Sequence, residues 1–159
     1  FILKLRTDKI TGRFLNPTGN DIEAQKQWIR DQQKRLDDYY FLIVDRSSRP
    51  VGTISLYNIS GRQGEFGRWI CPGNSLYALE SVLLIHDFGF DNLGLSTIYS
   101  STNSANRAAI NFNKSFGAHY TGERSENPLT GIVVEKAVIY SSDYPQIRRQ
   151  ISTLIEKLL

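Results

Sequence analysis

The 159-residue sequence has one cysteine, no methionine and no long hydrophobic run. Because Cys71 is the only cysteine, a scaffold held together by disulfides is excluded. The longest apolar runs, Tyr39–Val44 and Val82–Ile85, are much shorter than the roughly 20 residues that a membrane-spanning helix needs. No secretory signal is visible either. These absences predict a cytoplasmic protein that does not engage a membrane.

The sequence also has little excess charge, since 19 lysines and arginines oppose 16 acidic residues and leave a net charge of +3. This excess is spread along the chain and gives weak support for nucleic-acid binding, so we expect no nucleic-acid partner. The two histidines and Cys71 lack the spacing of metal ligands, which predicts no metal site. The length and the 40% hydrophobic content predict one globular domain over residues 1–159, as a monomer or homodimer.

Hydrophobic periodicity predicts strands and helices in the order β-α-β-β-β-α-β-α-β-β-α. Tyr39–Val44 is apolar throughout, which is typical of a strand covered on both faces. Short turns between the early strands indicate antiparallel hairpins, and the later β-α-β-α order indicates a mixed sheet, so the predicted fold class is α+β. The predicted strands are Phe1–Arg6, Tyr39–Val44, Val51–Tyr57, Glu65–Cys71, Ser96–Ser101, Ala118–Gly122 and Ile132–Tyr140. The predicted helices are Ile22–Leu36, Leu76–Phe90, a helix capped by Asn103 or Ser104 that ends at Phe116, and Tyr144–Leu158.

One predicted strand runs directly into a helix through the turn Pro72-Gly73-Asn74-Ser75. Free backbone N–H groups at a helix N-terminus and the helix dipole attract anions. Asn74 and Ser75 add side-chain donors, so this turn is a candidate cradle for a pyrophosphate group. The alternative is an ordinary helix start, in which Asn74 or Ser75 is the N-cap.

Two segments, GEFGRWICPGNSLYALES and STNSANRAAINFNKSFGAHYTGE, resemble the core of the GCN5-related N-acetyltransferase (GNAT) family. The family pattern is Glu-x-Gly-x-x-x-x-Pro on a strand, then a phosphate loop, then a helix that carries a glutamate. The residues that match it are Glu65, Gly67, Pro72 and Glu80. In the second segment Asn106 lies eleven residues before Gly117, as it does in the family. The similarity covers most of Gln25–Glu123.

The resemblance implies an acyl-CoA N-acyltransferase fold, with a mostly antiparallel sheet flanked by helices. It also implies an enzyme that transfers an acetyl group from acetyl-CoA to a primary amine by direct attack, without an acyl-enzyme. The run FLIVD…PVGTISLYNI…GEFGRW is similar to the branch that acetylates nucleotide-linked amino sugars. The branch that acetylates the N-termini of proteins, such as ribosomal proteins, is an alternative. A non-catalytic acyl-CoA-binding module on the same fold is a second alternative.

The resemblance further implies roles for individual residues. A primary amine must lose a proton before it attacks a thioester, and Glu65 is the predicted general base, with a purely structural glutamate as the alternative. Trp28 and Tyr57 are predicted to wall the acceptor pocket, although aromatic side chains more often lie in a core. Asn106 is predicted to bind the cofactor, with a helix cap as the alternative. The predicted acetyl-CoA-binding residues are Ile70, Cys71, Asn74, Ser75, Leu76, Tyr77, Ala78, Asn106 and Phe112.

The sequence departs from the family pattern at three places. PGNSLYAL replaces the glycine-rich phosphate loop, contains a single glycine and is slightly shorter. Ala109 replaces the usual serine, and Asn113 stands where many members place the tyrosine that protonates the leaving thiolate. Cofactor binding is expected to persist because it depends on backbone N–H groups, whereas no residue is assigned as the general acid.

Overall fold

The structure, a computed structural model, describes all of residues 1–159. Its helices and strands are, in chain order, α1 (Ile2–Thr7), α2 (Ile22–Gln32), β1 (Tyr39–Val44), β2 (Pro50–Ser60), β3 (Gln63–Ile70), α3 (Ser75–Asp87), β4 (Thr97–Asn103), α4 (Arg107–Phe116), β5 (His119–Glu126), β6 (Val133–Tyr140) and α5 (Tyr144–Leu158). A π-helical turn at Phe88–Asn92 extends α3. None of these helices combines the length and the apolar character needed to cross a bilayer.

The six strands form one sheet in the spatial order β1-β2-β3-β4-β6-β5. Every neighbouring pair is antiparallel except β3 and β4, which run parallel. The parallel pair is joined at only three positions, and Glu65 opposite Tyr99 is the last of them. Beyond that position the two strands are no longer paired, so the middle of the sheet opens toward the end of β3. This mixed, mostly antiparallel sheet confirms the predicted α+β fold class.

The hydrophobic core lies between the sheet and helices α3 and α5. Leu56 from the sheet, Val82 from α3 and Ile151 from α5 are buried members of one cluster. Full burial of each side chain of this kind contributes roughly 1.5–3 kcal/mol to stability. A polar clamp also joins the two helices, because Arg148 Nε of α5 donates to Asp87 Oδ1 of α3 at 2.8 Å.

The N-terminal segment is a helix, so the prediction of a strand over Phe1–Arg6 is wrong. The backbone N–H groups of Leu5 and Asp8 donate to the carbonyl oxygens of Phe1 and Lys4, at 3.0 and 3.1 Å. Apolar and basic residues alternate here, but so short a run fits both periodicities, and leucine, lysine and arginine are strong helix formers. The helix places Arg6 in its last turn, close to the candidate site.

Strand β1 forms an edge of the sheet, so the prediction that both of its faces are covered is wrong. Phe41, Leu42 and Val44 are 38%, 50% and 53% exposed. The apolar side chains of this run line a groove between β1 and α3, which has a volume of about 320 Å³. The run is therefore an edge strand that keeps an apolar surface.

Two helix boundaries also differ from the predictions. Helix α2 ends at Gln32 rather than Leu36, because the Gln32 side chain turns inward and donates to the Asp38 carbonyl oxygen at 2.8 Å. Helix α4 is capped by Asn106, so the prediction of a cap at Asn103 or Ser104 is wrong. The Asn103 side chain instead accepts from the backbone N–H of Ala105 and closes a turn ahead of the helix.

Candidate active site

A bulge in β3 turns Glu65 and Arg68 toward the same face of the sheet. Side chains of a regular strand alternate between faces, so residues three apart point to opposite sides. Arg68 has a φ of +48°, in the left-handed region, and at this point β3 uses one residue more than the paired stretch of β2. An inserted residue shifts the alternation beyond it. Phe66 and Trp69 consequently share the core side, with ring centroids 6.0 Å apart.

Glu65 lies where β3 and β4 part. Asn58 Nδ2 donates to Glu65 Oε2 at 2.8 Å, and Tyr57 and Tyr99 are its paired residues on the neighbouring strands. Burial raises the pKa of both tyrosine hydroxyls, and the Glu65 carboxylate beside them raises it further. The two tyrosines therefore remain neutral hydrogen-bond donors at neutral pH. A half-buried carboxylate in this setting can accept a proton from an amine bound next to it.

Arg68 is held between two aromatic rings and a buried carboxylate. Its guanidinium carbon lies 4.0 Å from the ring centroid of Tyr57 and 5.2 Å from that of Trp28. Arg68 Nη1 donates to both carboxylate oxygens of Asp38, at 2.8 and 2.9 Å. The Asp38 side chain is 1% exposed, so this ion pair is largely shielded from water. Through Arg68 the structure brings together the two aromatic residues that the sequence predicts at the acceptor pocket.

Two adjoining cavities open beside these residues. The larger has a volume of about 560 Å³, and Tyr57, Glu65 and Arg68 line it. The second has a volume of about 420 Å³, and Trp28 and Arg68 line it. Arg6 contributes to both walls. The structure thus groups Glu65 and Tyr57 around one cavity and places Trp28 in the next.

The end of β3 lies beside the gap between the parallel strands. Ile70 is buried and Cys71 is half-buried there. The Trp69 ring lies 4.6 Å from the ring of Phe112, so an aromatic contact joins β3 to α4. The indole N–H of Trp69 is buried and has no acceptor in the protein. Burial raises the pKa of the Cys71 thiol, which keeps it protonated and makes it a poor nucleophile.

The start of α3 is exposed, and Asn74 caps it. Asn74 Oδ1 accepts from the backbone N–H groups of Leu76 and Tyr77, at 2.9 and 3.3 Å. The N–H of Ala78 already donates to the Asn74 carbonyl oxygen at 3.1 Å, as in a regular helix. Ser75 is exposed at the same end. An anion could therefore reach the Leu76 and Tyr77 amides only by displacing the Asn74 side chain.

Asn106 and Asn113 both stabilise helix α4. Asn106 Oδ1 accepts from the backbone N–H of Ala109 at 3.2 Å, which makes Asn106 the helix cap. Asn113 is buried, and its Nδ2 donates to the hydroxyls of Ser100 and Thr102 at 3.4 and 3.2 Å. A side-chain amide donates hydrogen bonds, but it is far too weak an acid to protonate a thiolate at neutral pH. Asn113 thus anchors α4 to β4 and does not replace a tyrosine as an acid.

The sequence did not single out three residues of the site. Arg6 and Arg68 line the cavities, and Asp38 forms an ion pair with Arg68. Arg6 lies in the segment predicted as a strand, and Asp38 stands in an ordinary polar turn ahead of β1. Arg68 would face away from Glu65 if β3 were regular. Conversely Glu80, which matches the family helix, lines the apolar groove beside β1 rather than the cavity of Glu65.

We expect Gly67→Ala to destabilise the protein by displacing Tyr57. A Cβ at Gly67 would lie 2.8 Å from Tyr57 Oη and 3.1 Å from its Cε1, and Arg68 covers the ring. Such overpacking costs about 1–3 kcal/mol. The measurement is the free energy of unfolding in urea, for Gly67→Ala alone and in a Tyr57→Phe background. The loss should shrink when the hydroxyl is absent, and an equal loss in both backgrounds would show that the clash lies elsewhere.

Comparisons with known proteins agree with this fold. The family model of the acetyltransferase (GNAT) domain matches residues 1–119. No curated protein is similar enough in sequence to count as a match. Among solved structures, apo FdhC, a nucleotide-linked sugar GNAT, is 27% identical, with a TM-score of 0.79 over 95% of this chain and 85% of FdhC.

Two further structures share the fold at lower identity. A GCN5-related N-acetyltransferase from Brucella melitensis is 18% identical, with a TM-score of 0.82 over 97% of this chain and 76% of that one. Spermidine N-acetyltransferase from Vibrio cholerae, solved with CoA and spermine, is also 18% identical, with a TM-score of 0.80 over 90% of this chain and 89% of that one. The family uses acetyl-CoA as its acetyl donor. The GNAT domain model matches three quarters of the chain, and the sheet opens between the parallel strands β3 and β4. The chain therefore belongs to the GNAT family and is an N-acetyltransferase.

Proposed function

We propose that this enzyme acetylates a primary amine on a nucleotide-linked amino sugar, with Glu65 as the general base. The observation that carries the proposal is the position of Glu65. Its carboxylate stands at the last paired position before β3 and β4 part, and it lines the cavity of about 560 Å³. A base at that point can reach an amine in the cavity and the thioester in the gap together.

In the proposed reaction the amine attacks the thioester carbonyl directly. A C–N bond forms, the C–S bond breaks and the thiolate of CoA leaves, while the amine proton passes to Glu65, directly or through a water molecule. The Asn58 amide holds the carboxylate in place, since it donates to Oε2 at 2.8 Å. Most of the rate comes from holding amine and thioester together in the right geometry.

Acetyl-CoA is proposed to lie along the end of β3 and over the start of α3. The pantetheine arm would follow Ile70 and Cys71 and pass near Phe112. The pyrophosphate would take the place of Asn74 Oδ1 at the amides of Leu76 and Tyr77, with Ser75 as a further donor. This placement uses the dipole and free amides of the helix N-terminus, which need no glycine-rich loop.

The two joined cavities support an acceptor larger than a simple amine. Together they offer a site for the amino group beside Glu65 and a second compartment that the Trp28 ring borders. FdhC, the relative at 27% identity, is described as acting on nucleotide-linked sugars. The Vibrio cholerae spermidine enzyme has a lower identity and supports only the fold.

The acceptor is tested by release of CoA thiol with three classes of amine. We expect a TDP- or UDP-linked amino sugar to give the highest kcat/KM. A peptide with a free N-terminus tests the protein N-terminal alternative, and spermidine tests a polyamine. A higher kcat/KM for the peptide or for spermidine would contradict the proposed acceptor.

We expect Asn74→Asp to weaken acetyl-CoA binding without destabilising the protein. Aspartate caps a helix as well as asparagine does, but it adds a negative charge where the pyrophosphate is proposed to bind. The Kd for acetyl-CoA, measured by calorimetry, should rise at least about tenfold, which corresponds to about 1.4 kcal/mol. Asn74→Ser is the matched control, because it keeps a neutral cap. If Asn74→Asp binds acetyl-CoA as tightly as Asn74→Ser does, the pyrophosphate lies elsewhere.

A further inference from the structure

The two cavities of the candidate site share two arginines in their walls. Arg6, from the last turn of α1, and Arg68, from the bulge of β3, line both cavities. Glu65 lines only the larger cavity and Trp28 only the smaller one. Asn16 also lines both cavities, so a ligand that spans both compartments would lie against the wall that Arg6, Asn16 and Arg68 share.

Arg68 is fixed in place yet keeps unused donors. All of its side-chain hydrogen bonds come from Nη1, and both go to Asp38. The faces of the guanidinium are flanked by Tyr57 and Trp28, so its plane is held. Nε and Nη2 have no acceptor in the protein, although the side chain is only 20% exposed. Neither nitrogen is among the buried donors that lack an acceptor, so both remain open to solvent or to a ligand in the cavities.

Arg6 is a second guanidinium without a carboxylate partner. Its Nε donates to Thr18 Oγ1 at 2.8 Å, and its Nη2 donates to the carbonyl oxygen of Asn16 at 3.4 Å. Both acceptors are neutral, so the charge of Arg6 is not compensated by an ion pair. These two hydrogen bonds orient the side chain and leave Nη1 free.

The acidic groups that line the cavities form no ion pair with either arginine. Asp21 lines the smaller cavity, but its Oδ1 accepts from the amides of Glu23 and Ala24 and caps α2. Glu65 and Glu126 line the larger cavity, and neither forms an ion pair with an arginine. Asp38 compensates the charge of Arg68, so the arginine at the junction without an ion-pair partner is Arg6.

We infer that Arg6 and Arg68 form an anion subsite at this junction, which holds the phosphoryl oxygens of the acceptor. The inference rests on the proposed function and assigns two specificity-determining residues to it. A guanidinium presents paired N–H donors that match phosphate oxygens, and such charge-assisted hydrogen bonds are stronger than neutral ones. The subsite places the phosphates of an acceptor between its amine, which lies near Glu65, and the part of the acceptor that lies in the smaller cavity.

The test measures binding of TDP, UDP and inorganic pyrophosphate by calorimetry. The protein is first saturated with CoA, so that the probes cannot occupy the CoA pyrophosphate site. We expect Arg6→Gln to raise the Kd of each probe about tenfold or more, because the variant removes a charge-assisted hydrogen bond to the phosphate. Arg6 has no buried carboxylate partner, so its replacement should not unfold the protein.

Arg68 needs a paired variant, because its removal alone would leave Asp38 buried and uncompensated. Asp38→Asn combined with Arg68→Gln removes both charges and should raise the Kd of each probe to a similar extent. Arg149→Gln, an exposed residue of α5, is the matched control and should bind the probes as the wild type does. Unchanged Kd values in both the Arg6 and the paired variant would overturn the subsite.

The outcome separates the subsite from the proposed function. If a nucleotide-linked amino sugar is acetylated but its KM does not change in either variant, the subsite is wrong and the function stands. If the probes bind and the variants raise their Kd values, but no such sugar is acetylated, the subsite stands and the proposed acceptor is wrong.

Discussion

Glu65→Gln is expected to lower kcat by about 100-fold or more, which is the usual scale for loss of a general base. Glutamine keeps the size of the side chain and can still accept the hydrogen bond that Asn58 donates, but it cannot take a proton from the amine. The KM for acetyl-CoA should hardly change, because the proposed contacts with CoA lie at the end of β3 and at α3. The measurement is steady-state release of CoA thiol with the preferred acceptor.

The control for this prediction is Glu126→Gln. Glu126 lines the same cavity from β5, but it is exposed and lies away from the gap between β3 and β4. Its replacement should leave kcat within a few-fold of the wild type. A Glu65→Gln enzyme that retains full turnover would show that Glu65 has only a structural role, whatever the acceptor is.

Long periodic elements could be predicted from the sequence. Helix α5 has the predicted bounds Tyr144–Leu158, because its apolar residues keep a helical spacing over four turns and Pro145 suits a helix start. The glycine that ends α4 was also predictable, since Gly117 has a φ of +114° that other residues adopt with strain. Such features depend on local chemistry, which the sequence displays directly.

The arginines on the acceptor side of the site could not be predicted in the same way. The position of Arg68 depends on a bulge of one residue, and no pattern in QGEFGRWI distinguishes a bulged strand from a regular one. Arg6 reaches the site from a helix far away in the sequence, and nothing local in that helix indicates which cavity it borders. Glu65 was predicted because a family motif marks it, whereas the arginines belong to no motif.

The fold also carries a buried titratable group that should govern its stability in acid. His86 of α3 is 2% exposed, and Phe66 and Phe116 lie near it, with ring centroids 5.4 and 5.1 Å from the imidazole. Its Nδ1 lies 2.7 Å from the Val82 carbonyl oxygen. Burial lowers the pKa of His86 to about 4, although the Val82 carbonyl and the Asp87 carboxylate oppose the shift. The folded protein therefore keeps this histidine neutral well below the pH at which an exposed one is protonated.

The depressed pKa of His86 predicts a loss of stability in mild acid. In the unfolded chain histidine titrates near pH 6.5, so between about pH 6.5 and about pH 4 the unfolded state binds a proton that the folded state does not. The free energy of unfolding should be intact above pH 6.5 and fall by about 3 kcal/mol on the way down to pH 4. His86→Phe should remove this dependence, because phenylalanine suits the aromatic surroundings and has no proton to bind. His119→Phe, at an exposed histidine, is the control and should keep the wild-type slope.

The measurement is urea unfolding at several pH values for the wild type and the two variants. The carboxylates that all three proteins share cancel in the differences. Equal slopes for wild type and His86→Phe would mean that the buried imidazole is not the group that sets acid stability.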